Sequence, residues 1–437
     1  MSLWTPRNVH ARRLGRRFLT GWVGLVTLTL LAGCAIKTPQ STLDVHGLVS
    51  RLQLHLFMIT VWVCLFIFVT VGGTMAVVVW KYRERPGDEN KPMPEQGHGN
   101  PLIEISLITA SIALLVIIAV PTLKDIFLTN ELPTEQPYWA PSLLGNYFTK
   151  AGGQVAEANK QEPLTIIVRG KQWWWIFEYP QFGFSTANEL YMPAGRVVKF
   201  ELRSDNVIHS FWLPKIAGKV DCMPGRANWM WMMADEDADT YEHGLYYGQC
   251  AQYCGESHAF MLFRARIVSD KDFAEWVRQS QQKVPAPAAG GDWGKFLAAV
   301  NPGPGKTPDA AMLTTDAEKG AALFFGRAKC VQCHTIDGSS AQGTKGPNLS
   351  RVASRTAIAA GWLDNLQDPL TSNEIDPVKQ EENFYHWISK SYDVKPGNLM
   401  WYDTGGLRDI VKENEDNGTP ITDQDWHYLA AFLMTLK

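Results

Sequence analysis

The stretch Tyr247–Met261 reads YGQCAQYCGESHAFM: Cys250 and Cys254 form a CxxxC pair, and His258 and Met261 follow within one loop's reach. Upstream, VIHSFWLP contributes His209. Thiolate, imidazole and thioether are the ligands that hold copper in electron-transfer sites, and a mononuclear blue site takes a single thiolate. Two thiolates can instead bridge a pair of copper ions. A lone CxxxC in an exported chain would read as a disulfide, but the flanking histidines and methionine favour a metal.

A second redox signature follows, Cys330-Val-Gln-Cys333-His334. This spacing is that of a c-type haem attachment, with two thioether links and a proximal imidazole. Downstream, Met400 in KPGNLM and His386 compete for the distal position. Methionine there raises the haem potential, which suits a donor upstream of copper. The chain thus carries two electron centres.

At 437 residues the chain is long enough for two or three domains. Its net charge of -3 gives no basic footprint, so nucleic acid is excluded as a partner. The 17 tryptophans and 19 phenylalanines suit membrane interfaces and packing around cofactors. Arg12, Arg13, Arg16 and Arg17 precede an apolar run from Phe18 to Leu31 and then Ala32-Gly33-Cys34. That is the pattern of a signal peptide, too short to span a bilayer. The LAGC ending resembles the bacterial lipoprotein box, which makes residues 1–33 a lipoprotein signal peptide and Cys34 the lipid-modified first residue.

Residues 34–128 are expected to form a two-helix transmembrane hairpin, since Leu54–Trp80 and Leu102–Leu123 are each apolar and long enough to cross. Lys81, Arg83, Arg85 and Lys91 lie between them and belong in the cytoplasm by the positive-inside rule. Both ends then face outward from a bacterial cytoplasmic membrane, with the redox motifs on the outer face. Glu104 is either a functional carboxylate at membrane depth or one at the headgroup boundary. Residues 129–280 contain short β-branched and aromatic runs such as LTIIVRG, QWWWIFEY and VVKFELRS, which predict an all-β sandwich. The Pro- and Gly-rich stretch 281–312 reads as a linker, and 313–437 as a small all-α domain. The fold class is therefore multidomain.

HGNPLIEI, AVPTLK, GKQWWWIFEYP, VIHSFWLP, KVDCMPGRAN and YYGQCAQYCGESHAFM together resemble subunit II of the haem-copper oxidases of the cytochrome c oxidase type, from the first membrane helix to about Ser269. The resemblance implies a cupredoxin-like sandwich holding the dinuclear copper centre CuA. In it Cys250 and Cys254 bridge both coppers, His258 and the carbonyl of Gln252 complete one, and His209 with Met261 complete the other. It also implies that Trp173 is an exposed aromatic where electrons enter, and that Glu104 sits at the mouth of a proton channel of the catalytic subunit. Three departures stand out: Gln252 replaces a glutamate that helps bind magnesium, Asn206 replaces an acidic residue used in docking soluble cytochrome c, and Leu107 replaces a tryptophan. Residues Thr314–Lys437 resemble class I cytochromes c. There Gly320, Phe324 and Phe432 mark the helix crossing, and the Pro347 carbonyl accepts a hydrogen bond from His334. KPGNLM matches the methionine loop, selecting Met400 over His386, with Trp401 in place of a proline.

The function implied is electron entry in a caa3-type cytochrome c oxidase, from haem c to CuA and on to a catalytic subunit that reduces dioxygen to water. Partners are subunit I, other oxidase subunits and an upstream donor: a soluble cytochrome, a copper protein or a quinol-oxidising complex. The alternatives are the input subunit of a CuA-containing nitric oxide reductase and a non-enzymatic membrane electron-carrier lipoprotein. A donor fused through a short flexible linker has an effective concentration of about millimolar. A docking charge then matters little, and Asn206→Asp is expected to leave turnover nearly unchanged.

Overall fold

The computed structural model describes residues 38–83, 99–130, 163–302, 307–369 and 372–437, together with 85, 92, 97 and 132. The expected signal peptide, its Cys34 and the loop residue Lys91 lie outside these. Helices α1 (Leu48–Tyr82, 35 residues) and α2 (Pro101–Asn130, 30 residues) are both long and apolar enough to cross a membrane. Their exposed surface is apolar on every side, as Phe66, Phe68, Val69, Ile105 and Leu115 show, which fits lipid as the solvent. Thr60, Thr70, Thr74, Ser106 and Thr109 turn their hydroxyls back to carbonyls one turn earlier. Polar atoms at membrane depth are thereby satisfied within the helix.

The N-terminal end of α1 is fixed to the soluble part of the molecule. Val49 and Leu52 are buried, the buried Lys215 ammonium donates to Asp44 at 2.9 Å, and the His46 ring stacks on Tyr241 at 3.6 Å.

Ten strands follow: β1 (Leu164–Lys171), β2 (Trp174–Tyr179), β3 (Phe184–Ala187), β4 (Glu189–Pro193), β5 (Val197–Ser204), β6 (His209–Trp212), β7 (Lys219–Cys222), β8 (Asn228–Met233), β9 (Leu245–Cys250) and β10 (Leu262–Val268). They form two five-stranded sheets, ordered β3-β2-β1-β5-β8 and β4-β10-β9-β6-β7. The β1–β5 and β4–β10 pairs are parallel and the other ladders antiparallel. Burial alternates strictly along β1 and β2, so these strands send every second side chain inward. Trp175, Phe177, Phe200, Phe211 and Phe263 meet there in edge-to-face and stacked contacts. This aromatic filling is the sandwich core that the alternating runs anticipate. Helix α3 (Asp270–Ser280), capped by Ser269, closes one end by stacking Trp276 on Tyr191 at 4.2 Å.

The stretch expected to be a linker is not a flexible spacer. Within 281–312 the helix α4 (Trp293–Val300), capped by Asp292, buries Trp293, Phe296 and Val300 in the core of the C-terminal domain. Trp293 packs against Phe325 at 5.0 Å and Phe432 at 6.3 Å. Gly290 and Gly291 lie in the 3-10 turn just before α4, and the three large apolar side chains outweigh the composition. The C-terminal domain is built from α5 (Asp316–Phe325), α6 (Pro377–Ser389), α7 (Leu407–Asp416) and α8 (Asp423–Leu433). Capping boxes at Thr315/Glu318 and Thr422/Asp425 start α5 and α8. These two helices cross where Gly320 meets Tyr428 and Phe432, the crossing anticipated from the sequence.

Candidate metal and haem centres

The copper-type ligand set converges on one end of the sandwich. β6 opens with the fully buried His209, β9 ends at Cys250, and the loop between β9 and β10 carries Cys254, His258 and Met261. Cys250 Sγ lies 3.8 Å from Cys254 Sγ, 3.9 Å from His209 Nδ1 and 3.2 Å from the Gln252 carbonyl oxygen. Cys254 Sγ lies 3.5 Å from His258 Nδ1 and 3.8 Å from Met261 Sδ. Each of the other anticipated donors thus lies within 4 Å of one of the two sulfurs, and the ligand atoms of His209, Cys250 and Cys254 all lie within 4.8 Å of one another. The Gln252 side chain itself is exposed, so only its backbone faces this point.

The thiols share their protons unequally. The hydrogen bond from Cys254 is the largest influence holding Cys250 down to about 4, and the same contact, with burial, pushes Cys254 far above the thiol range. A cation held by both sulfurs needs both as thiolates, so its binding releases whatever protons the pair carries. Cys222, which the sequence left without a role, is buried on β7 opposite His209.

A second layer of polar contacts is not apparent from sequence spacing. Asn206 Oδ1 sits 3.0 Å from His209 Nε2, and Asn206 Nδ2 donates to Gln172 Oε1 at 3.3 Å. Gln172 and the Trp173 indole both donate to the Cys254 carbonyl, at 2.8 and 3.0 Å. Asn206 is thus a partner of the ligand cluster rather than a surface docking residue.

Trp173 also corrects an expectation. It is not an exposed strand residue but lies in the turn between β1 and β2, only 8% exposed. The C-terminal domain covers it: a Cβ on Gly397 would lie 3.1 Å from its ring. Its neighbours Trp174 and Trp175 do lie on β2, where Trp174 is half-buried and Trp175 is in the core.

In the C-terminal domain the short 3-10 turn Cys330–Gln332 follows α5, and Cys333 and His334 come directly after it. His334 Nδ1 lies 2.9 Å from the Pro347 carbonyl, as the sequence suggested. That carbonyl accepts a hydrogen bond from Nδ1–H, which leaves Nε2 as the available lone pair. Burial draws the imidazole below its usual value, which keeps it neutral and able to ligate. The backbone at Gly343 passes so close that a Cβ would fall 2.4 Å from Cys333. Met400 lies in the helical turn Leu399–Tyr402, capped by Asn398. Glu104 lies in the first turn of α2 and is exposed in this single chain.

The two soluble domains are joined by buried polar contacts. Glu189 accepts from the Thr356 amide and hydroxyl at 2.5 and 2.6 Å. Arg264 pairs with Asp364 at 3.1 Å and lies over the Tyr247 ring.

Residues 183–268 match the family described as cytochrome c oxidase subunit II, periplasmic domain, and residues 317–437 match the cytochrome c family. Cytochrome c oxidase subunit 2 of Bacillus sp. (strain PS3) is 31% identical over 421 residues, covering 95% of this chain and 96% of that protein. Its counterpart in Alkalihalophilus pseudofirmus is 29% identical over 400 residues, covering 92% and 93%. The solved periplasmic domain of subunit II of the cytochrome oxidase of Bradyrhizobium japonicum is 35% identical, covering 28% of this chain and 95% of that one with a TM-score of 0.26. Identity extending over both soluble domains and the paired helices leads to one conclusion: the chain belongs to the cytochrome c oxidase subunit 2 family, in the form that carries a C-terminal cytochrome c domain.

Proposed function

We propose that the electron-entry role of this subunit rests on a dinuclear CuA centre held by His209, Cys250, Cys254, His258, Met261 and the Gln252 carbonyl, and on a haem c attached through Cys330 and Cys333 and ligated by His334 and Met400. The observation that carries this reading is two sulfurs 3.8 Å apart, with the His209, Gln252, His258 and Met261 donor atoms each within 4 Å of one of them. That separation is far beyond the about 2.05 Å of a disulfide, and leaves room for ions between the thiolates. When bound, the two groups supply reversible one-electron chemistry; the protein supplies position and electronic tuning.

The chain's own residues do this by fixing tautomers. The Nε2–H of His209 donates to Asn206, so Nδ1 points to the sulfurs as a lone pair. His334 is held the opposite way round by Pro347. Trp173 lies between the two soluble domains with its indole on the Cys254 carbonyl, which suits it as the residue through which electrons pass from haem domain to copper domain.

Asn206→Asp is no longer expected to be silent. A carboxylate would make a charge-assisted hydrogen bond to His209, stronger than the neutral one by about 1 kcal/mol. Favouring the more positive, oxidised centre over the reduced one by that much would lower a one-electron copper midpoint by about 40 mV. Spectroelectrochemistry of the copper band measures it, and an unchanged midpoint would remove Asn206 from the tuning shell.

The two apolar helices anchor the chain in a membrane, and subunit I of the oxidase is its catalytic partner. We further infer a two-pass arrangement in a bacterial cytoplasmic membrane with both soluble domains outside, Cys34 as a lipid anchor, and Glu104 facing subunit I. We assign residues 34–128 to the hairpin, 129–280 to the copper domain, and the haem domain to a unit that includes α4. The upstream donor is a soluble cytochrome, a copper protein or a quinol-oxidising complex that delivers to the haem domain. Oxygen uptake by the purified complex with a reduced mediator, beside anaerobic nitric oxide consumption, tests the role. Rapid oxygen uptake is expected, and nitric oxide turnover without it would refute the assignment.

A further inference from the structure

Between α6 and the haem-ligand turn, the segment Lys395–Met400 reads KPGNLM, and it is this segment that touches the copper domain at its ligand loop. Lys395 is only 3% exposed. Its ammonium donates to the Trp173 carbonyl and, at 3.0 Å, to the Phe260 carbonyl. Backbone carbonyls are an expensive home for a buried ammonium, because they offer dipoles where a carboxylate would offer a charge. Stability alone does not account for a lysine here.

What the two carbonyls belong to does. Trp173 holds the carbonyl of Cys254 through its indole, and Phe260 directly precedes Met261. The adjoining Pro396 carbonyl accepts from the hydroxyl of Ser257, a residue fully buried in the same loop. Gly397 has φ +71, and a Cβ there would fall 2.5 Å from Glu256 and 3.1 Å from Trp173. On the haem side, the Asn398 amide donates to the carbonyls of Ser391 and Lys395 at 2.7 and 2.8 Å, while its Oδ1 accepts from the Trp401 amide at 3.0 Å. Lys395 is therefore rigidly related to Met400 on one side and to the Cys254–Met261 loop on the other.

We propose that Lys395 is a positioning residue that locks the methionine loop of the haem domain onto the copper-ligand loop, so that haem c and CuA exchange electrons in one permanently docked geometry with no search by a tethered domain. The proposal rests on the haem and copper assignments above. The step is a one-electron transfer in which haem iron is oxidised and the copper pair reduced, with no bond made or broken. A consequence is that Trp173 is closed to outside donors, which must deliver to the haem domain instead.

The test is flash photoreduction of haem c in the intact oxidase complex with a ruthenium photosensitiser, following haem reoxidation and copper reduction as solvent viscosity is varied. In the native complex the transfer is expected to be a single phase independent of viscosity. Lys395→Met keeps the apolar stem and removes the donors. It is expected to slow the transfer on the order of tenfold or more, the scale on which misplacing reacting groups acts, and to make the rate fall with viscosity. Ser257→Ala, which loosens the same contact from the copper side, is expected to act in the same direction and carries the test if Lys395→Met does not assemble. A native rate that already depends on viscosity, or variants that transfer at the native viscosity-independent rate, would overturn the proposal. Absence of the haem or copper absorbance in the native complex would instead overturn the cofactor assignments.

Discussion

Cys254→Ser is expected to abolish the CuA signature and stop oxygen uptake by the complex while leaving haem bound and the sandwich folded. Cys254 is the central node of the cluster, with Cys250, His258 and Met261 each within 3.8 Å of its sulfur. A serine hydroxyl remains protonated where a thiol ionises, so it cannot supply a bridging anion to two ions. The loss should exceed the roughly 10- to 100-fold that removing an outer hydrogen-bond partner of a metal ligand costs. The fold should survive because Cys254 sits in a loop at the sandwich end and serine nearly matches its volume, a change worth about 1 kcal/mol. Paired measurements of copper absorbance and oxygen uptake check this, with haem absorbance as the internal control. A variant that kept both copper signal and turnover would exclude Cys254 as a bridge.

The second large effect is structural. Gly320→Val should strongly destabilise the haem domain. A Cβ at Gly320 would fall 1.9 Å from the Tyr428 carbonyl oxygen and 2.8 Å from Phe432 Cβ. The obstacle is backbone on the facing helix, so no rotamer change relieves it and α5 and α8 must separate. Overpacking costs about 1–3 kcal/mol where side chains can yield, and more is expected here. Against a domain stability of about 5–15 kcal/mol that is a large share. The haem-domain melting temperature should fall by at least about 10 °C. Gly320→Ala should act in the same direction. An unchanged melting temperature for the valine variant would show that the two helices do not cross as described.

Both of these sites were legible in the sequence because their information is local. YGQCAQYCGESHAFM places four side-chain ligands and one carbonyl in a single loop, and only His209 arrives from another strand. Likewise Cys330, Cys333 and His334 are contiguous, and Gly320 announces a close helix contact by its lack of a side chain. The strands were readable from alternation, which burial along β1 and β2 reproduces.

What the sequence hid depends on contacts between distant segments. Asn206 is the exception: its partner His209 is only three residues on, and what the sequence did not show is the turn that brings the two side chains together. Trp173 read as exposed because nothing local signals that residues more than 200 positions later will cover it. The Pro- and Gly-rich connection read as a spacer because composition averages over α4, whose Trp293, Phe296 and Val300 are spaced to fill one face. Lys395 carried no signal at all: an isolated lysine in a loop is normally solvated, and only the docked copper domain gives it acceptors.

The central claim is that one chain holds a haem c and a copper pair bridged by two thiolates. Electron paramagnetic resonance of the intact, partly oxidised complex, compared with the Cys254→Ser variant, tests it most directly. Expected is a copper signal whose hyperfine pattern is that of one unpaired electron shared equally over two copper nuclei, absent from the variant. A pattern from a single copper nucleus, or a signal that survives the loss of Cys254, would contradict it.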